Sequence, residues 1–146
     1  MKKLSILALL LLSACKTTAE APVVQRNLEF RDLTEAEKKI VSKVVADVMK
    51  DPSSAQFRWT KMGRDPAQRQ QMENVDYCAM VNAKNSYGGY NGFKPYKVTL
   101  GLENGKVVDA LRVELLGGSS IYNDQIEPGL VKENCQAIGL NPYDAK

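Results

Sequence analysis

The chain has 146 residues, of which 44% are hydrophobic and 25% are charged, and it contains 20 basic and 17 acidic residues. This composition is typical of one ordinary soluble domain, and it excludes both a low-complexity chain and a membrane protein with several spans. The sequence contains no histidine, which excludes Ser-His-Asp and Cys-His catalytic sites and removes the commonest zinc ligand.

The amino terminus has the features of a secretory signal peptide. Two lysines follow Met1, and residues 4–12 are apolar apart from one serine. This stretch is too short for a transmembrane helix, which needs about 17–25 apolar residues. The sequence Leu12-Ser13-Ala14-Cys15 resembles the lipobox of bacterial lipoproteins. The resemblance implies that residues 1–14 are cleaved and that Cys15 carries a diacylglyceryl group and a further acyl chain such as palmitate.

Several acyl chains on one residue hold a protein stably in a lipid bilayer. By the same resemblance, Lys16 indicates the outer membrane, with the protein lipid-anchored on the periplasmic side. Residues 15–27 are then the acylated amino terminus and its tether, and residues 28–146 are the periplasmic domain. The mature chain keeps 18 basic and 17 acidic residues, because two lysines lie in the signal peptide. Its net charge of +1 gives no indication of nucleic-acid binding.

An amphipathic helix is predicted over residues 35–50. Thr34 and Glu37 have the spacing of a capping box. Asp51-Pro52 ends the helical pattern, because proline disfavours helix in the residue before it. The apolar side chains that recur at helical spacing are Ile40, Val41, Val44, Val45 and Val48.

Four strands and a second helix are predicted after this helix. Asn104-Gly105 is typical of a type I′ hairpin turn between the last two strands. The element order predicts a small α+β domain, in which helices cover one face of a mostly antiparallel four-stranded sheet. The predicted strands are at 57–60, 75–83, 96–102 and 106–116. The final helix is predicted to begin at Pro128 and stop at Gly139, with Leu130, Val131, Cys135 and Ile138 facing inward.

Cys78 and Cys135 are predicted to form a disulfide bond. Because the periplasm is oxidising, two cysteines that remain in an exported domain usually pair. The bond would join the C-terminal helix to the sheet. A redox-active pair is the alternative, and the absence of a C-x-x-C motif disfavours it.

The segment between the second and third predicted strands, residues 84–95, has an unusual composition. Aromatic residues alternate with glycines, and this mixture with asparagine and serine is typical of binding loops. The alternative is that the glycines only permit a wide hairpin whose aromatic rings fold back over the core. The candidate partner-binding residues are Lys84, Asn85, Tyr87, Tyr90 and Phe93, with Lys94 at the end of the segment.

Two elements in this part of the chain resemble a group of small exported bacterial proteins. The first, Asp51-Pro52-Ser53-Ser54-Ala55-Gln56-Phe57-Arg58, fits the pattern D-P-S-S-A-x-F-R. The second begins at Cys78 and fits C-x-x-V-N-A-K-N-x-x-G-G-Y-x-G-F. The resemblance implies that residues 50–96 form one structural unit, but it implies no activity and supplies no catalytic residue.

No catalytic residue, cofactor or metal is predicted. The glycines match no nucleotide-binding loop, and paired cysteines would leave zinc only carboxylate ligands. A small cell-wall-acting enzyme would need two carboxylates at a set separation, and Asp76, Asp109 and Glu114 stay open as candidates for that alternative.

The sequence therefore predicts a non-catalytic lipoprotein that binds an envelope protein or peptidoglycan. The binding surface would be the 84–95 segment or a sheet face that the helices leave uncovered. The alternative is a periplasmic inhibitor or immunity protein against a cell-wall hydrolase such as lysozyme. Lysozymes are generally basic, so a chain with Lys84 and Lys94 in its loop would not attract them.

Overall fold

A four-stranded antiparallel sheet is the centre of the computed structural model, which describes residues 27–115 and 130–146. The strands in chain order are β1 (Glu29–Arg31), β2 (Gln56–Arg58), β3 (Met62–Arg64), β4 (Met72–Asn82), β5 (Lys94–Glu103) and β6 (Lys106–Leu115). The helices are α1 (Glu35–Asp47) and α2 (Leu130–Ala137). The large sheet has the strand order β2-β4-β5-β6, and β1 pairs with β3 in a second, two-stranded antiparallel sheet. The predicted α+β class and four-stranded sheet are confirmed, whereas the two-stranded sheet was not predicted.

The predicted capping box begins α1. The Thr34 side chain accepts a hydrogen bond from the Glu37 N–H, and the Glu37 carboxylate accepts one from the Thr34 N–H at 2.8 Å. The helix ends at Asp47, three residues before the predicted end, because Val48 leaves the helical conformation (φ −93°, ψ 0°). The prediction of the start was therefore correct, and that of the end was wrong.

The Glu37 carboxylate also connects three elements. It accepts hydrogen bonds from the Arg31 guanidinium at 2.7 and 2.8 Å and from the Val107 N–H at 2.9 Å. Arg31 in addition donates to the Gly105 carbonyl at 2.9 Å, in the turn between β5 and β6. Burial raises the pKa of Glu37, but the hydrogen bonds from Arg31, Val107 and Thr34 outweigh it and lower the pKa to about 2. One buried carboxylate thus links β1, α1 and β6.

The two helices lie on opposite faces of the large sheet. Tyr77 and Ala79 of β4 belong to the main core with Val41 of α1, whereas Cys78 packs with Val131 of α2. Successive residues of a strand point to opposite faces, so α1 and α2 must be on different sides. The prediction that the helices cover one face was therefore wrong. The disulfide bond places α2 on the second face, because it joins α2 to Cys78. Cys78 alternates along β4 with the core residues that face α1, so its side chain points away from α1.

The predicted disulfide bond is confirmed. Cys78 and Cys135 are bonded with a Cα–Cα distance of 6.2 Å, and both residues are buried. Gly139 stops α2 as predicted: the helix ends at Ala137, Gly139 has φ +80°, and the next N–H donates back to the Cys135 carbonyl at 2.8 Å. The predicted helix start at Pro128 lies outside the described residues.

The hairpin between β5 and β6 has the predicted turn. Asn104 has φ +49° and Gly105 has φ +78°, and a type I′ turn requires positive φ at both central residues. Among residues 27–115 and 130–146, no helix has the length and apolar character needed to cross a membrane. The predicted signal peptide, Cys15 and the acyl chains on it belong to residues that the structure does not describe.

Candidate functional site

The segment between β4 and β5 is a loop whose backbone is held by one side chain. An isolated antiparallel bridge between Lys84 and Tyr90 closes the loop, which is called here the 84–93 loop. The Asn85 Oδ1 atom accepts hydrogen bonds from the N–H groups of Tyr87 at 2.9 Å and Gly89 at 3.1 Å. The Asn85 backbone N–H also donates to the Gly89 carbonyl at 2.8 Å. The tip of the loop is therefore fixed by contacts within the loop.

The three aromatic residues of the loop have different surroundings. The Tyr87 residue is 97% exposed. Tyr90 is 44% exposed, and its hydroxyl donates to the Ser54 carbonyl at 3.1 Å. Phe93 is partly buried, with the Arg58 guanidinium carbon 4.1 Å from its ring centroid. None of these rings belongs to the described core clusters. Tyr87 is exposed as a binding loop requires, whereas Tyr90 and Phe93 lie back against Ser54 and Arg58, as the alternative predicts for rings that fold back.

Ser54 joins the two sequence elements that carry the resemblance to small exported proteins. Its hydroxyl accepts a hydrogen bond from the Lys84 N–H at 2.8 Å, and its carbonyl accepts the one from Tyr90. Sequence reasoning explained the D-P-S-S-A element only as a helix stop and turn. The structure shows that this element also supports the base of the 84–93 loop.

Arg58 is a residue of this site that sequence reasoning missed. Its register partner in β4 is Met80, which in turn faces Pro95 in β5. Lys94 faces Val81, one position away, and therefore lies on the other side of the sheet from Arg58. The Lys84 ammonium is 5.9 Å from the Tyr90 ring centroid. The site thus has one cation over each of two aromatic rings, whereas Lys94 does not share a face with Arg58.

Replacing Asn85 with alanine is expected to loosen the loop without unfolding the domain. Two backbone N–H groups lose their acceptor, and each such hydrogen bond contributes about 1 kcal/mol. We expect amide hydrogen exchange at Tyr87 and Gly89 to become about tenfold faster, which corresponds to about 1.4 kcal/mol. Asn91→Ala is the matched control, because the Asn91 side chain accepts only from the Asn85 side-chain amide, at 3.1 Å. Equal exchange rates in Asn85→Ala and in the wild type would contradict this account of the loop.

The carboxylates considered for an enzyme each have a local partner. Asp76 accepts a hydrogen bond from the Thr99 hydroxyl at 3.1 Å, and Asp109 accepts one from the next backbone N–H at 2.7 Å. Glu114 forms an ion pair with Lys97 at 3.2 Å. In the described part of the chain, no group of three or more Cys, Asp or Glu side chains is arranged to hold a metal ion.

Two clefts lie away from the 84–93 loop. The first, of about 690 Å³, has a mixed lining that includes Glu73, Asp76 and Thr99 together with Ile138 and Leu140. The second, of about 660 Å³, contains Trp59. None of the residues of the 84–93 loop lines either cleft. The exposure of Tyr87 at 97% is what makes the tip of the loop an accessible surface.

Comparison of the chain with protein-family models, with curated proteins and with solved structures finds no significant match. The function is therefore inferred from the residues of this chain and their contacts. Among the described residues, the 84–93 loop combines an exposed aromatic ring, a fixed backbone and unpaired cations.

Proposed function

We propose that the protein is a non-catalytic binding module of the bacterial cell envelope that contacts its partner through the 84–93 loop. One observation carries this proposal: Tyr87 is 97% exposed at the tip of a loop whose backbone Asn85 holds in place. Tyrosine supplies a large contact area with few rotatable bonds, and it is enriched among the residues that dominate binding energy. A loop that is already ordered also loses less conformational freedom when it binds.

The proposed anchor is the lipid on Cys15. Acyl chains on this residue would hold the domain on the periplasmic side of the outer membrane, and residues 15–27 would extend at most about 45 Å from it. Metabolic labelling with a palmitate analogue is expected to mark the wild type and not Cys15→Ser. Equal labelling of both proteins would contradict the anchor while leaving the binding role of the loop open to its own test.

Replacing Tyr87 with alanine is expected to weaken partner binding about 30-fold while leaving the fold intact. The residue is 97% exposed, so the free energy of unfolding should change by less than about 0.5 kcal/mol. Loss of an aromatic side chain at the centre of an interface typically costs about 2 kcal/mol or more, which weakens binding about 30-fold. The measurement is quantitative affinity capture from envelope membranes with the full-length acylated protein.

Met72→Ala is the control for this experiment. Met72 is a large apolar residue that is 60% exposed, but it lies at the start of β4, at the opposite end of that strand from the loop. Capture of the same partner should be retained by this variant. Equal capture by Tyr87→Ala and by the wild type would contradict the proposed role of the loop.

The alternative as a lysozyme inhibitor is disfavoured by the charge of the surface. Arg58 and Lys84 are the cations that the structure brings to the loop, and neither forms an ion pair with another described residue. A basic hydrolase would be repelled by them.

A further inference from the structure

We infer that the partner is a protein with an acidic surface, and that Arg58 is the specificity-determining residue that binds a carboxylate of this surface. This inference rests on the proposed function, because Arg58 lies directly beside the 84–93 loop. It adds the chemistry of the partner and names a residue outside the loop.

The Arg58 guanidinium has a defined position, but its N–H donors have no partner among the described residues. It lies 4.1 Å from the Phe93 ring centroid, within the range of a cation–π contact. Arg58 is an exposed residue, and it makes no hydrogen bond or ion pair to any residue that the structure describes. A guanidinium has five N–H donors in a planar fork that matches the two oxygens of a carboxylate. Contact with the ring limits the freedom of this side chain, so less entropy is lost when the fork binds an anion.

The charge around Arg58 favours an acidic partner. The chain has no acidic residue between positions 77 and 102, a stretch that includes the whole loop and Lys84. Among the described residues, Asp51 is an acid whose charge interacts with that of Lys84, and it accepts a hydrogen bond from the Ser53 hydroxyl at 2.6 Å. The Ser53 hydroxyl, and to a smaller extent the charge of Lys84, lower the pKa of Asp51. Within the described residues, the charges of Arg58 and Lys84 exceed that of Asp51, and this excess of positive charge would steer a negatively charged partner toward the surface.

The shape of the surface favours a protein over a glycan strand. Sites for small molecules are concave and bury most of the ligand. Tyr87 instead protrudes from the loop, and the loop lines neither of the two clefts described above. A protruding tyrosine with an arginine beside it is the complement of a pocket on another protein, and these two residue types are enriched in the interface residues that contribute most to affinity.

Site-specific cross-linking tests this inference in cells that naturally contain the protein. A photo-reactive amino acid replaces Ser86, an exposed residue next to Tyr87, in the full-length acylated chain. The attachment point on the captured molecule is then sequenced. The same experiment is run with Arg58→Ala, with Arg58→Lys and with Lys43→Ala. Lys43→Ala is the matched control, since it removes one exposed positive charge from α1, away from the loop.

The expected result is an attachment point within a segment rich in Asp and Glu of one defined protein. The yield should fall about tenfold in Arg58→Ala, recover only partly in Arg58→Lys because an ammonium cannot bind two oxygens in a fork, and stay unchanged in Lys43→Ala. Attachment to peptidoglycan, attachment to a neutral or basic protein segment, or an unchanged yield in Arg58→Ala would each overturn the inference and leave the proposed function standing. The absence of any cross-link from position 86 would overturn both this inference and the proposed function.

Discussion

Replacing Cys78 and Cys135 together with alanine is expected to lower the free energy of unfolding by about 4 kcal/mol. The bond joins residues that are 57 positions apart, and opening a loop of this length increases the conformational entropy of the unfolded chain by about that amount. The loss should be large relative to the total stability of a small domain, which is about 5–15 kcal/mol. The measurement is chemical denaturation of the variant and the wild type in the same buffer.

The wild type with its disulfide bond reduced is the matched control for this prediction. It loses the covalent link but keeps both sulfur atoms in the buried cluster around Val131 and Leu140. The reduced protein should therefore lose nearly as much stability as the double variant. A loss below about 1 kcal/mol in both would show that the bond constrains the unfolded chain far less than loop closure predicts.

Replacing Glu37 with glutamine is expected to lower the free energy of unfolding by about 3 kcal/mol. The carboxylate is buried and accepts hydrogen bonds from Arg31, from the Val107 N–H and from the Thr34 N–H. Breaking such a pair typically costs about 3–5 kcal/mol, and the lower end applies because Arg31 is partly exposed. Glu35→Gln is the matched control, since Glu35 lies in the same helical turn but its carboxylate is exposed and pairs only with Lys38. This control should show little change.

The stabilisation from Glu37 should depend on pH in a defined direction. The folded state lowers the pKa of this carboxyl from 4.5 to about 2, so the folded state favours the charged form. The resulting stability is fully present above pH 4.5 and is lost as the pH falls toward about 2. Denaturation curves between these values should show a steeper loss for the wild type than for Glu37→Gln. Parallel pH profiles would contradict the assignment of the charged form to this site.

The parts of the fold that sequence predicts well are those set by neighbours along the chain. The capping box at Thr34 and the type I′ turn at Asn104-Gly105 depend on a few adjacent residues, and both are present. The pairing of β1 with β3 escaped prediction because each of these strands carries one large apolar side chain, Phe30 or Met62, whereas two alternating apolar residues indicated the strand at β2. The early end of α1 at Asp47 was missed because no breaker residue stands there, and only Pro52 marks the chain as non-helical.

The candidate site was predicted only in part for a related reason. Composition identified the loop, but Tyr87 and Phe93 have the same composition around them and very different contacts. What separates them is the register of β2 against β4, which sets Arg58 opposite Met80 and brings its side chain over Phe93. Strand register depends on tertiary packing, so a single sequence does not reveal that Arg58 belongs to the site.

Oxidative footprinting of Tyr87 in intact cells tests the central claim most directly. The side chain is almost fully exposed in the isolated protein, so purified full-length protein should be modified rapidly at this residue. If the 84–93 loop binds a partner in the envelope, modification of Tyr87 in cells should fall several-fold, while modification of the exposed Met72 should stay the same. Equal modification of Tyr87 in cells and in purified protein would contradict the claim that this loop is the binding surface.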